Sequence, residues 1–181
     1  MIITTRKGRI IHEQPGGIAG ANLQGLALTG AELPEVCLAG ADFSRTVLNS
    51  ANLDSADLSG ACFDDAILQG IYLSSANLES ASLRNADMYW AHLFMASCRH
   101  ADFTNARLTG ADLQECDLTN ATLAGADLGR DNLGGSTQVQ GANFTSADLS
   151  GVVWDGAEYD DTTVFPFGFG PLSKGMRHKS A

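Results

Sequence analysis

The chain has 181 residues, 44% of them apolar, with 21 acidic and 11 basic side chains and a net charge of −10. Such a composition is neither disordered nor collagen-like, and no run of about 18 apolar residues offers a transmembrane helix. The negative charge argues against direct contact with nucleic acid or an anionic membrane and leaves room for a protein partner.

In chain order, Ile2-Ile3-Thr4-Thr5 and Arg9-Ile10-Ile11-His12 flank Arg6-Lys7-Gly8, and predict a small hairpin in an N-terminal cap over residues 1–15. Three basic residues and no apolar core there exclude a secretory signal. Cys37, Cys62, Cys98 and Cys116 have no CxxC spacing, which fits reduced thiols and a cytoplasmic location.

Residues 16–164 are one array. Taking Ile18 as the first centre, every fifth residue through Leu133 gives 24 positions, of which 18 are Leu and three are Phe. Ala stands two places earlier in 17 of those 24 units. The pattern then slips by one residue and resumes at Val139, Phe144, Leu149, Trp154, Tyr159 and Val164, which predicts a one-residue bulge near 134–136. Period five suits neither a helix nor a plain strand. It suits a short edge with small and large residues pointing in, followed by a two-residue corner. The last place of many units is Gly, Ser or Asn, residues that tolerate the positive φ of a tight corner. Phe43, Phe63 and Phe103 fall at multiples of twenty, and Phe144 one beyond, so four edges per coil would stack all four rings. The expected fold class is therefore an all-β solenoid. Thirty units over four edges make about 7.5 coils, or roughly 36 Å of rod. Residues 165–181 close it, with Phe165, Phe167 and Phe169 as the expected plug.

Asp131 stands where an inward Ala belongs, and an unpartnered buried carboxylate is costly. It is expected to accept hydrogen bonds from amides freed at the bulge. Leu26 and Val36 also replace inward Ala, which suggests slightly wider early coils.

The units Ala-Asn-Leu (21–23), Ala-Asp-Phe (41–43) and Ala-Asp-Leu (56–58) resemble the A(D/N)LXX motif of the pentapeptide-repeat family. That resemblance implies a right-handed quadrilateral β-helix. The tail from Tyr159 through Met176 is similar to those of cyanobacterial members. Family members that protect gyrase against quinolones are acidic rods of DNA-like width, so an alternative reading is a DNA mimic whose partner is DNA gyrase.

Little here points to catalysis. His12, His92, His100 and His178 are scattered, and no nucleophile, metal set or phosphate loop is legible, so no enzyme, metal or cofactor is expected. Ten acids in outward places spread over every side, as solvated faces do. The least generic feature is a candidate partner-binding patch: Ile67, Tyr72, Tyr89, Trp90, His92, Phe94 and Met95 at outward or corner places of adjacent units. The expected function is a rigid, non-catalytic scaffold for a protein partner.

Overall fold

The computed structural model describes residues 2–5, 7–8, 10–13 and 19–180. Ile18, the first inward centre of the periodic reading, lies outside them. The chain winds as a β-helix whose rungs are single parallel bridges rather than long strands. Residues twenty apart face one another across successive coils: Asn52 pairs with Tyr72, Asp57 with Asn77, Cys62 with Ser82 and Ile67 with Asp87. Four such bridged segments occupy each twenty-residue period, and a corner separates each from the next.

One unit shows why five residues suffice. The Ala51 N–H closes the preceding corner on the Leu48 carbonyl (3.0 Å). Asn52 N–H donates to Ala31 in the coil before (2.7 Å), while Leu53 and Ser55 donate to Tyr72 and Ser74 in the coil after (both 2.9 Å). The one amide outside this ladder, that of Asp54, donates to the Asn52 side-chain Oδ1 at 3.1 Å. All five N–H groups are therefore satisfied, as buried or half-buried backbone requires. The same side-chain bond recurs from Ser44 to Asp42, Ser59 to Asp57, Thr104 to Asp102, Thr119 to Asp117 and Ser150 to Asp148. Where the second place of the unit is Asp or Asn, its short oxygen reaches the amide two residues on. From Gly20 to Gly125 the last place takes positive φ, at Gly60 (64°) as at Ser55 (57°) and Asn85 (56°).

Inside, alanines, leucines and phenylalanines are almost completely buried. Phe43 and Phe63 stack with ring centroids 4.7 Å apart and planes 1° from parallel. The column runs on through Leu83 to Phe103, as the bridges Asp42–Cys62–Ser82–Asp102 require. Thr46 is buried in an Ala place because its Oγ1 donates to the Leu23 carbonyl at 2.9 Å. Leu26 and Val36 are half-buried against the core.

At the N-terminal end, β1 (Ile2–Thr5) pairs antiparallel with β2 (Ile10–Glu13) and with β3 (Ala31–Glu32), and Ile3 is fully buried.

Three expectations about the C-terminal third need correction. The slip after Leu128 is six residues, not one: Asp112 pairs with Gln138 and Asp117 with Asn143, each twenty-six residues on. The unit Asp131–Leu133 has left the wall, and Leu133 is 79% exposed rather than inward. The buried hydroxyl of Thr137 takes over the inward place, its one proton shared between the carbonyls of Leu108 and Gly129 (both 2.9 Å). Phe144 therefore stands beyond Leu118 and not in the Phe43 column, since Leu118 N–H donates to Asn143. Second, Val164 bridges Asn143 from an outward place, and Phe165 stacks on Phe144 (5.5 Å, 1°) in its stead. An extra residue in the Asp160 turn causes this shift, Asp160 Oδ1 accepting from both Thr162 and Thr163 amides. Third, the plug is Phe165 with Phe169, stacked at 4.6 Å, while Phe167 points fully into solvent. The tail ends with β5 (Arg177–His178), parallel to β4 (Glu158–Tyr159).

Candidate interaction surface

The outward column Asn52–Tyr72–His92–Asp112–Gln138 carries the centre of the patch. Tyr72 and His92 occupy adjacent rungs, and their rings stack at 4.9 Å with planes 11° apart. Phe94 and Met95 form the corner that follows His92, Met95 being 52% exposed in a left-handed conformation (φ 57°). Tyr89 and Trp90 form the corner that precedes it. Ile67 belongs to the adjoining column, between Val47 and Asp87, so the seven residues span one column, its two corners and a neighbour. Open hollows lie at both ends of the column, about 190 Å³ beside Tyr72 and Glu32 and about 610 Å³ among Gln114, Gln138, Gln140 and Asp160.

Trp90 does more than present a ring. A tryptophan with φ 56° sits where most other units place Gly, Ser or Asn, and a bulky residue there is a strained choice. Its indole lies over Gly110, where an added Cβ would come within 2.6 Å of Nε1. From there the indole N–H donates to Asp131 Oδ2 (2.7 Å), and the Tyr89 hydroxyl donates to the same oxygen (3.0 Å). Asp131 Oδ1 accepts from the Leu133 (2.9 Å) and Gly135 (2.6 Å) amides. The carboxylate thus accepts from the freed amides, as the sequence suggested, and from two aromatic donors that the sequence did not reveal. Burial raises its pKa, but the bonds from Trp90, Gly135, Tyr89 and Leu133 outweigh that and hold it below the usual range. Tyr89 moves the other way, pushed up by burial and by its bond to Asp131, with the Arg107 guanidinium 4.4 Å above its ring. The available signal was positional: Trp90 and Gly110 share a corner column twenty residues apart, and Asp131 breaks the Ala pattern just beyond it.

Chemistry elsewhere is sparse. Cys98 and Cys116 are both buried with sulfurs 3.5 Å apart, a neighbourhood that linear spacing concealed. The Cys116 thiol is pushed well up by its hydrogen bond to Cys98 and by burial, which opposes thiolate formation. His178 bonds Asp161 at 2.9 Å in the tail. Among the described residues, no three His, Cys, Asp or Glu converge as metal ligands. None of the described helices is long and apolar enough to cross a membrane.

The family profile described as pentapeptide repeats matches eight copies, over residues 18–49, 35–70, 68–94 and 96–133. The chain belongs to the pentapeptide-repeat family. Membership carries with it a right-handed β-helix, the hand that parallel crossovers favour. Among solved structures, this pentapeptide-repeat chain is similar to HetL of the cyanobacterium Nostoc sp. strain PCC 7120, a protein involved in heterocyst differentiation regulation. Identity is 31% over 90% of this chain and 72% of HetL, with a TM-score of 0.67. Rfr23 of the cyanobacterium Cyanothece 51142 is 25% identical, over 80% of this chain and 90% of its own, with a TM-score of 0.45. QnrB1, a plasmid-mediated fluoroquinolone resistance protein, is 19% identical over 77% and 89%, with a TM-score of 0.44. Neither of these last two superpositions is close enough to argue from. No curated protein matches the chain.

Proposed function

We propose that this protein is a non-catalytic cytoplasmic scaffold, a four-sided rod of about seven coils once the extruded unit is left out, that docks a protein partner on the patch around Tyr72 and His92. The twenty-residue spacing of the bridges supports the four-sided rod. The observation that carries the docking is the exposed aromatic density: Tyr72, Trp90 and Phe94 stay between 38% and 45% exposed, with Met95 beside them at 52%, although the wall beneath them is complete. Aromatics supply much of the energy of protein interfaces, and clustered exposed apolar groups mark such surfaces. Backbone rigidity favours docking with little rearrangement.

The alternative, a DNA mimic that binds gyrase, rests on net charge. Outward carboxylates such as Asp42, Asp57 and Asp148 are accounted for by the amides they cap. That favours a structural role for them over mimicry.

A photo-crosslinking residue at Phe94, in the native cytosol, should give a discrete protein adduct that the same residue at Ser82, on another column, does not. Tyr72→Ser with Phe94→Ser should then weaken binding of that partner by about 2 kcal/mol or more per hot spot. Identical adducts from both positions would refute the assignment. Trp90 is a poor first choice, because its replacement also frees Asp131.

A further inference from the structure

The arginines divide the surface in a way that the aromatic patch alone does not explain. Between residues 19 and 164 there are five: Arg45, Arg84, Arg99, Arg107 and Arg130. None lies on the Tyr72–His92 column or on the corner that follows it: Arg45, Arg84 and Arg99 are on other corners, Arg107 is on the Ile67 column over the Tyr89 ring, and Arg130 is on the corner that precedes His92, two coils beyond Trp90. Four are paired with carboxylates, Arg84 with Asp102, Arg99 with Asp117, Arg107 with Asp87 and Arg130 with Asp155. The fifth, Arg45, lies near enough to Asp42 to lower its pKa, after the larger effect of Ser44.

From rung 52 to rung 112, the Tyr72–His92 column and the corner that follows it have no such compensation; Arg177 and Lys179 reach this column only at its far end, where they meet Glu158. Residues 52–55, 72–75, 92–95 and 112–115 contain no lysine or arginine. They contain Asp54, Asp112 and Glu115, and Glu35 sits at the same corner one coil earlier. Asp54 and Asp112 accept from backbone amides, of Ser74 (2.8 Å) and Gln114 (3.0 Å), and none of the four forms an ion pair with a described residue. Carboxylates therefore flank an aromatic centre of Tyr72, His92 and Phe94 on one face.

We propose that this face docks a basic, extended segment of a partner protein, a reading that rests on the docking surface proposed above. Charge complementarity selects the partner's sign, and aromatic faces attract guanidinium and ammonium groups. Nucleic acid and anionic lipid are repelled by the same carboxylates. Four rungs at about 4.8 Å spacing span roughly 15 Å, the length of about five extended residues. A strand-like segment alternating Arg or Lys with apolar residues would set every second side chain on the face.

The probe is a fluorescein-labelled hexapeptide, Arg-Leu repeated three times, with Gln-Leu and Glu-Leu counterparts, titrated against the full chain by anisotropy. The arginine peptide should bind about tenfold or more tightly than the glutamine one, and the glutamate one not at all. Asp112→Asn with Glu115→Gln should weaken it about tenfold and flatten its salt dependence. Asn at 112 keeps the acceptor for the Gln114 amide. Tyr72→Ser with Phe94→Ser should weaken it similarly, whereas Asp65→Asn with Glu79→Gln, on other columns, should change nothing. Thermal unfolding of each variant checks the fold, and the charge pair stands as the test if the aromatic pair does not fold. Equal binding of the glutamine peptide, still lost in the Phe94 variant, would keep the docking surface and overturn the basic partner. Equal loss in the Asp65–Glu79 variant, competition by spermine at the peptide's own affinity, or no binding of the arginine peptide would each overturn it too.

Discussion

Residues 19–128 and 129–180 build the same wall under different rules. In the first stretch units satisfy most of their amides by themselves and through the coils next to them, and exchanges of Leu for Phe inside or Gly for Ser at a corner leave the twenty-residue bridge spacing intact. In the second, the spacing runs to twenty-six between Asp112 and Gln138, twenty-one between Asn143 and Val164 and nineteen between Glu158 and Arg177. Two of the three irregularities are held by a side chain that accepts several amides: Asp131 at the extruded unit, Asp160 at the turn before Val164. A repeat wall tolerates insertion where one carboxylate can satisfy the backbone groups that the lost edge sets free.

The comparison breaks most visibly in the core. Phe63→Ala, inside the uniform stretch and stacked on Phe43, should cost about 3–5 kcal/mol, read as a lowered denaturant midpoint. Phe165→Ala, half-buried at the closing end, should cost less than half as much. Equal losses would mean that the tail is as tightly packed as the coils.

That contrast also explains what was legible beforehand. The period, the inward Ala and Leu, the corner with positive φ and the Phe43–Phe63 stack all follow from local residue types repeated at fixed distance. The size of the slip did not, because Leu133 fits the inward pattern perfectly well as a residue type. Only the competition between burying Asp131 and bonding it to Tyr89 and Trp90, some forty residues earlier, expels the unit. The same logic hid Val164 and Phe165: either could face inward, and one extra residue in the Asp160 turn chose between them. Of the candidate surface, the aromatics were legible as outward or corner places. The Trp90 clamp and the sorting of arginines away from Tyr72 needed the coils to be superposed.

A pH titration sharpens the comparison next. Asp42 and Asp57 are held below the usual carboxylate range chiefly by hydrogen bonds from Ser44 and Ser59. Asp117 and Asp160 are held there by their Thr donors in spite of burial. A carboxylate with a lowered folded pKa stabilises above its unfolded value, about 3.9, and loses that contribution as pH falls through the folded one. Stability should be flat from about pH 7 to 5 and fall below about pH 4, together for coils and tail. Salt at neutral pH should lower both slightly, since exposed ion pairs occur in the coils (Arg84–Asp102, Arg99–Asp117, Arg107–Asp87) as well as in the tail (Lys179–Glu158, 2.7 Å) and all are screened. A midpoint that falls between pH 7 and 5 would show that other groups govern.

The smallest effect, and the most local, concerns Asp131. Replacement by Asn keeps one acceptor oxygen, which can still serve the Leu133 and Gly135 amides. The other oxygen becomes an NH₂ that faces two donors, the Trp90 indole N–H and the Tyr89 hydroxyl. Three donors around one point repel, so the aromatic side of the clamp should open while the wall, whose bridges do not pass through Asp131, stays closed. Global unfolding should shift little compared with Phe63→Ala. The Trp90 fluorescence should move to the red as its indole gains water, while Trp154, buried against Phe144 and Phe169, supplies an unmoved second component. Amide exchange at residues 133–135 should accelerate, and that at Leu113 and Leu118, whose N–H groups donate to Gln138 and Asn143, should not. If exchange rises at Leu113 and Leu118 as well, the clamp holds the coils together across the break, and the extruded unit is a structural fastener of the wall.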